Sequence, residues 1–446
     1  MAIKVGIPKG TRDHLPVAMR RREQVLAAIR RVYERHGFEP LETPAIENIE
    51  TLSGKYGEEG DQLLFRILKR GAKAATGECD LGLRYDLTVP LARVVAMHQN
   101  ELPKVFKRYQ MQPVWRADRP GHGRFREFYQ CDIDIVGAAE PVPEIDMLSA
   151  VAELFGELGF SAIALRLNDR RVLRGLIERA GVPAQRESQA IVAIDKLDKI
   201  GEDGVRRELL ARGFVESVAD ALLELLRTAS AGDVLLALDG VFAGMPDALA
   251  GVANLRKIVR GLEQMELGAT RLVVDPCLAR GLDYYTGAIF EVQSEDLAGS
   301  LAGGGRYDKL IGMFSGRELP ACGVSLGLER ILVVMQERGM FDTGEHACDA
   351  MLAYFSEDTL GASLRCCARL RHHGLRVDLY PCADKLGKQF AHANQMNIPY
   401  VVLIGPEEAE AGVVKLKDMR SGEQLQLDMD ALLERLGAMT THDGAS

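Results

Sequence analysis

A chain of 446 residues, 47% hydrophobic and 27% charged, has the composition of an ordinary globular protein and, at about 150 residues per domain, room for roughly three domains. The formal net charge of −9 excludes a surface coated in positive charge, so any contact with nucleic acid must use local basic patches. The opening MAIKVGIPKG has no apolar signal core and no run of about 18 apolar residues occurs, so we expect a non-secreted chain without membrane spans. The eight cysteines (Cys79, Cys131, Cys277, Cys322, Cys348, Cys366, Cys367 and Cys382) form no C-x-x-C pair. Structural zinc and a disulfide framework are therefore not expected, and reduced thiols in a cytoplasmic protein fit best.

Residues 17–36 read as a helix, with Val25, Ile29 and Val32 at helical spacing, Pro16 at the entry and Gly37 just past the end. The following GFEPLETPAIE is extended, and Pro40 and Pro44 confine it to an edge or interface strand. Residues 104–137 alternate as strands around the turn RPGHGR, and the 104–126 part carries seven Lys/Arg against one Asp. In QCDIDIV the two-residue period puts Gln130, Asp132 and Asp134 on one face and Cys131, Ile133 and Ile135 on the other, the pattern of a sheet lining a cleft. Residues 170–260 are rich in Ala, Leu, Arg and Glu and read as a helical insertion. Strand-like segments return at 271–292, GVSLGLERILVVMQ reads as a strand running into a helix, and GMFDTGEHA near 340 reads as a linker. Beyond about 347, AMLAYF, LRVDLY and YVVLIG are apolar strands separated by helical segments at 359–373 and 384–397, an α/β pattern.

Five clusters carry the chemistry. In RYDLT, Asp86 and Thr88 share one face if the segment is a strand, suited to an ammonium group; a surface strand is the plainer alternative. In the run from Arg108 to Asp134, Arg116 and Arg124 flank a turn and Gln130 and Asp134 follow on a strand; guanidinium groups match phosphate oxygens bidentately. RGLDYYTG places Arg280, Asp283, Tyr284 and Tyr285 together, and two phenols can partner or flank an imidazole, or simply fill a core. Gly303, Gly304 and Gly305 either let backbone approach a ligand closely or form a flexible turn. In GLER, Arg330 at a helix start opposes the helix dipole, a cost that a bound anion would offset.

Taken in this order, the clusters resemble one family. The Arg108–Asp134 run and GLER are similar to motifs 2 and 3 of class II aminoacyl-tRNA synthetases, and RYDLT and RGLDYYTG resemble the histidine signatures of the histidyl-tRNA synthetase family. The resemblance covers nearly the whole chain. It implies an α+β catalytic domain over 1–340, an antiparallel sheet flanked by helices with a helical insertion at 170–260. It further implies an anticodon-binding α/β domain over 347–436 and a flexible tail over 437–446.

By the same resemblance the substrates are L-histidine, ATP with Mg²⁺, and the tRNA for histidine, and the enzyme is a cytoplasmic homodimer without zinc. Asp86, Leu87, Thr88, Gln130, Asp134, Tyr284 and Tyr285 are then expected around histidine, Arg116 and Arg280 at the α-phosphate, Arg124 and Arg330 on ATP, and Pro44 at the dimer interface. One departure is the loop Arg119-Pro120-Gly121-His122-Gly123, where many bacterial relatives carry a longer polar or basic pair; recognition of an extra 5′ guanosine is left open. The rival is a non-catalytic paralogue, the regulatory subunit of ATP phosphoribosyltransferase, which typically lacks RGLDYY and the C-terminal domain.

Overall fold

The computed structural model describes residues 5–280, 284–294, 299–341, 346 and 348–440. The chain divides into two compact units, Met1–Met340 and Phe341–Ser446. In the first unit, helix α1 (Pro16–Arg35) starts on a proline whose missing N–H costs nothing there, and ends where Gly37 takes a left-handed conformation, φ +73°. Its apolar stripe of Val25, Ile29, Val32 and Tyr33 is buried.

One eight-stranded sheet organises this unit. Its strands in chain order are β1 (Glu39–Pro40), β2 (Phe106–Trp115), β3 (Glu127–Val136), β4 (Ile163–Asp169), β5 (Thr270–Val274), β6 (Ala288–Gln293), β7 (Ser300–Arg306) and β8 (Ala321–Gly327). Their spatial order is β1-β2-β3-β8-β7-β6-β4-β5. The six central strands run antiparallel, and a parallel pair closes each edge. Pro40 sits on the edge strand, where no ladder donor is needed. Pro44 lies beyond it in an exposed link that belongs to no strand.

A second sheet, Ile46–Asn48 with Cys79–Leu83 and Arg66–Leu68, precedes RYDLT. The strand expected over RYDLT is not there. Arg84 to Leu87 form a turn, and Thr88 opens helix α2 (Thr88–Met97). Asp86 Oδ1 accepts from the Val89 N–H at 3.1 Å, so the acid satisfies a helix-start donor instead of alternating with Thr88. The Gly303–Gly305 run is no turn either: it is the middle of β7.

Asp169 ends β4 and caps the next helix by accepting from the Arg171 N–H. The segment that follows is helical through Glu263, and its entry and exit strands β4 and β5 pair in parallel, Ile163 beside Thr270. This is the insertion expected at 170–260. Helix α3 (Val142–Glu157) packs Met147, Leu148, Val151, Leu154 and Phe155 into the core. Its Glu144 is fully buried and grips Arg306 at the end of β7 through two 2.7 Å hydrogen bonds.

The second unit has a five-stranded sheet in the order Val377–Leu379, Ala350–Leu352, Tyr400–Leu403, Val414–Asp418, Gln424–Leu427. The first three strands are parallel, joined through helices Glu357–His372 and Leu386–Gln395. The last two form an antiparallel hairpin that the apolar pattern did not reveal, because Gln424–Leu427 alternates between exposed and half-buried positions. The final helix spans Met429–Thr440, so 437–440 of the segment expected as a tail are helical, and 441–446 lie outside the described residues.

The Arg306–Glu144 pair yields a stability prediction. Glu144→Ala leaves a buried guanidinium without its main partner, which costs about 3–5 kcal/mol. Replacing both residues with apolar ones of similar volume should recover most of that loss. Denaturant midpoints followed by intrinsic fluorescence check both; an unchanged midpoint for Glu144→Ala would mean that Asp308 and the 138–140 carbonyls hold Arg306 alone.

Candidate active site

Above the centre of the large sheet lies a cavity of about 790 Å³. Two kinds of charge line it. Asp86, Asp132 and Asp134, with the neutral Gln130 among them, form an acidic group, and Arg116, Arg124, Arg280 and Arg330 a basic one.

The acidic group is built on β3 and on the turn before α2. The alternation of QCDIDIV buries Cys131, Ile133 and Ile135 behind the strand and turns Gln130, Asp132 and Asp134 into the cavity. Asp134 faces Arg108 of β2 across the ladder at 2.7 Å and accepts from the Tyr307 hydroxyl. Burial raises the Asp134 carboxyl above its ordinary range, while Arg108 and Tyr307 pull it back. Its carboxylate lies over Gly323 of β8, where any Cβ would overlap it. Gln130 donates through Nε2 to Ser325 Oγ. Asp86 accepts from Tyr56 at 3.0 Å as well as from the Val89 N–H, and burial raises its carboxyl too. Thr88 lines the cavity beside it. Leu87 does not: it is fully buried in the core, and its carbonyl accepts from Arg108 at 3.2 Å.

Tyr284 and Tyr285 border the cavity with ring centroids 4.8 Å apart, and Tyr284 meets Tyr307 edge-on at 6.1 Å. Burial pushes the hydroxyls of Tyr284 and Tyr285 up, so both remain protonated donors at neutral pH. The Gly281, Leu282 and Asp283 of RGLDYYTG lie outside the described residues.

The basic group comes from four separate segments. Arg280 donates from Nη1 to Glu291 on β6 at 2.9 Å, and its guanidinium fills the space a side chain at Gly303 would occupy. Arg116 follows β2, donates from Nε to the Tyr85 carbonyl at 3.0 Å and stacks over the Tyr85 ring at 4.3 Å. Arg124, on the return of the β2–β3 loop, is held by Asp118 at 2.6 Å. Arg330 is the third residue of helix α4 (Leu328–Glu337) and donates to the Ser300 carbonyl at 2.6 Å. Burial lowers its pKa, and the charges of Arg124, Arg116 and Arg280 lower it further, with Glu291 opposing. A site that makes arginines destabilise one another is built to receive an anion.

Several residues in this arrangement were not singled out from the sequence. Tyr307 and Glu291 stand beside site residues, and Arg108 and Tyr56 hold the two aspartates. Glu329 of GLER binds Arg22 of α1 at 2.8 Å and the Tyr129 N–H at 2.9 Å, tying α1, β3 and α4 together behind the cavity. The only signal for Tyr307 was its place after the glycine run. Ile194, Asp195, Leu197, Asp198 and Lys199 bring the helical insertion to the cavity wall, secured where Arg166 of β4 pairs with Asp198 at 2.5 Å and with Asp275. The loop tip His122 reaches Glu337 of α4 at 3.0 Å. Among the described residues no group of three or more His, Cys, Asp or Glu is placed to hold a metal ion. Among them, too, no helix is long and apolar enough to cross a membrane.

In the second unit, taken by itself, Tyr380 and Phe390 pack against the core of Met351, Ala393 and Val401. Lys417 lies 4.0 Å over the Phe390 ring, Lys415 pairs with Glu408 at 2.5 Å and Lys388 with Asp384 at 3.2 Å. The two aromatics are thus packing residues with one edge available, not free stacking platforms.

Comparison with known proteins agrees with this geometry. The family model described as histidyl-tRNA synthetase matches residues 10–331, and that of the anticodon binding domain matches 349–439. The histidine–tRNA ligase of Porphyromonas gingivalis is 44% identical over 96% of this chain and 98% of its own length, and that of Gloeobacter violaceus 40% over 96% and 97%. The crystal structure of histidyl-tRNA synthetase from Nostoc sp. PCC 7120 superposes with a TM-score of 0.83 at 32% identity, covering 98% of this chain and 100% of that one. A Bacillus halodurans structure titled as an ATP phosphoribosyltransferase regulatory subunit/histidyl-tRNA synthetase shares the fold at 20% identity and a TM-score of 0.76. With family models spanning both units and relatives of this identity along its whole length, the chain belongs to the histidyl-tRNA synthetase family and is a histidine–tRNA ligase.

Proposed function

We propose that the acidic part of the cavity holds histidine and the arginine-lined part holds ATP, so that the reacting atoms meet between them. The observation that carries this reading is the division of charge within one cavity: carboxyls on β3 and before α2, and four guanidinium groups from the end of β2, the β2–β3 loop, the segment before β6 and the start of α4. Asp86, Thr88 and Gln130 take the ammonium end of histidine. Asp134, held by Arg108 and Tyr307, accepts from the imidazole N–H, and Tyr284 and Tyr285 close over the ring. Arg116 and Arg280 take the α-phosphate and the amino-acid carboxylate. Arg124 and Arg330 take the terminal phosphates, with Mg²⁺ arriving as part of the ATP substrate.

The chemistry asks little else. The histidine carboxylate attacks the α-phosphorus, the bond to the bridging oxygen breaks and pyrophosphate leaves, giving histidyl-adenylate. Negative charge spreads over phosphate oxygens, and positioned guanidinium groups stabilise it without having to reorganise. The terminal ribose hydroxyl of the tRNA then attacks the activated carbonyl and AMP leaves. No enzyme nucleophile takes part. Arg124 must exchange Asp118 for a phosphate when ATP enters. We further assign anticodon binding to the second unit, place the enzyme in the cytoplasm as a homodimer, and put the exposed Pro44 segment at the subunit contact.

Arg280→Ala should fold and still bind histidine, yet lose about 10²–10³ in the rate of adenylate formation, since its charge serves the transition state more than the ground state. Histidine-dependent ATP–pyrophosphate exchange measures this. A rate within threefold of wild type would assign Arg280 a structural role through Glu291.

A chain ending near residue 340 should keep histidine-dependent exchange while charging tRNA far less efficiently. Each unit has its own core, so the activation chemistry does not require the second one. Equal charging efficiency in the full and shortened chains would remove anticodon binding from the second unit.

A further inference from the structure

The roles just given leave one cavity-lining acid of β3 unused. Asp132 stands between Gln130 and Asp134 on the cavity face of β3 and is 1% exposed. Its Oδ1 has no hydrogen-bond partner among the described residues, and its carboxyl receives the Ser325 hydroxyl from β8. The charged and titratable groups around it are Arg108 from β2, Asp134 on its own strand and Asp86 from the turn before α2, with Cys131 behind the strand and Tyr33 from α1. Of these only Arg108 is cationic, and Arg108 is in contact with Asp134 at 2.7 Å. Asp134 also has Tyr307, and Asp86 has Tyr56 and a backbone N–H. Asp132 has a serine hydroxyl.

A buried carboxyl in such a place either finds a cation or keeps its proton. Burial pushes Asp132 up to about 8, against the pull of Arg108 and with the push of Asp134 and Asp86. We propose that Asp132 is an ammonium-binding residue of the amino-acid pocket, a neutral acid while the pocket is empty that ionises against the ammonium of the arriving amino acid and gives its proton to solvent. This rests on reading the cavity as the histidine pocket. The ammonium, not the ring, is the partner on chemical grounds. It stays charged through the neutral range, whereas an imidazole with an ordinary pKa near 6.5 is mostly neutral above that value. The neutral ring N–H suits Asp134, which already has Arg108 and Tyr307 as partners. The empty pocket thereby avoids a third buried anion, and the loaded one faces its cation with two.

The sign of the pH dependence follows. Binding lowers the pKa of Asp132, so loading releases a proton wherever the empty pocket is protonated, and affinity for histidine strengthens as pH rises. Between about pH 6.5 and 8 the gain approaches tenfold per unit, and it levels off above that.

Two measurements test this. Calorimetric titration of the full-length protein with histidine alone, at about pH 7.5 in phosphate and in Tris, counts protons, since free imidazole is mostly neutral there. Release of most of one proton is expected; no release overturns the proposal without any variant. Asp132→Asn should raise the histidine KM in pyrophosphate exchange by about 10- to 100-fold at pH 8. The penalty should shrink to a few-fold near pH 6.5, with proton release abolished. A penalty independent of pH would mean a packing role and overturn the proposal. Imidazolepropionate, which lacks the ammonium, should compete equally with histidine in wild type and Asp132→Asn; a preference for wild type would move the charge contact to the ring and overturn it. Asp134→Asn separates the two levels. If it raises the histidine KM while Asp132→Asn does not, this inference fails alone; if neither matters, the pocket assignment fails with it.

Discussion

Arg108 and Asp134 meet at 2.7 Å on adjacent strands, both side chains shut off from solvent. An uncompensated charge at either position would be among the costliest features a sheet interior can carry. Because the two neutralise each other, an acidic strand can run through the middle of the core, and much of the cavity depends on that. The Tyr307 hydroxyl comes to Asp134 from the end of β7, and Arg108 also donates to the Leu87 carbonyl, fixing the turn that presents Asp86. Helix α2, β2, β3 and the segment after β7 are thus registered to one another through a single ion pair and its hydrogen bonds.

The arginine group is organised by the opposite principle. No carboxylate neutralises it in full: Glu291 serves Arg280 and Asp118 serves Arg124, while Arg330 makes its hydrogen bond to a carbonyl at the start of a helix, where a cation is least welcome. Burial and neighbouring cations both weigh on Arg330. An anion bound there would relieve strain already present in the empty cavity. The helical insertion closes the wall at Asp198, whose partner Arg166 belongs to the strand from which the insertion departs and also pairs with Asp275 after the strand to which it returns. A long excursion of chain is in this way fastened back at its root.

Much of this was legible in the residues. The period of QCDIDIV placed Gln130, Asp132 and Asp134 on one face because a strand leaves a side chain no other choice, and α1 announced itself through Pro16, Gly37 and its apolar stripe. What could not be read depends on partners outside each motif. RYDLT has the composition of a strand, yet the Val89 N–H turned it into a helix start, an outcome decided by one local hydrogen bond. Leu87 shares a motif with two cavity residues but points the other way, since a turn does not preserve alternation. Glu291 and Tyr307 carry no local mark; their roles arise from the pairing of β6, β7 and β8. Gly303–Gly305 invited the reading of a turn because glycine is ambiguous until its neighbours are known.

Those neighbours show what the three glycines mean. A side chain at Gly303 would overlap the Arg280 guanidinium, one at Gly304 the carbonyl of Gly323, and one at Gly305 the carbonyl of Ala288 and the Tyr285 ring. This stretch of the sheet is therefore written in backbone, and the cavity face of β3 in side chains. Backbone cannot be altered one substitution at a time. A side chain such as Asp132 can, whereas Asp134 is bound to its place by Arg108. The cavity can therefore be reshaped more readily where side chains form its wall than where strand backbones close on one another.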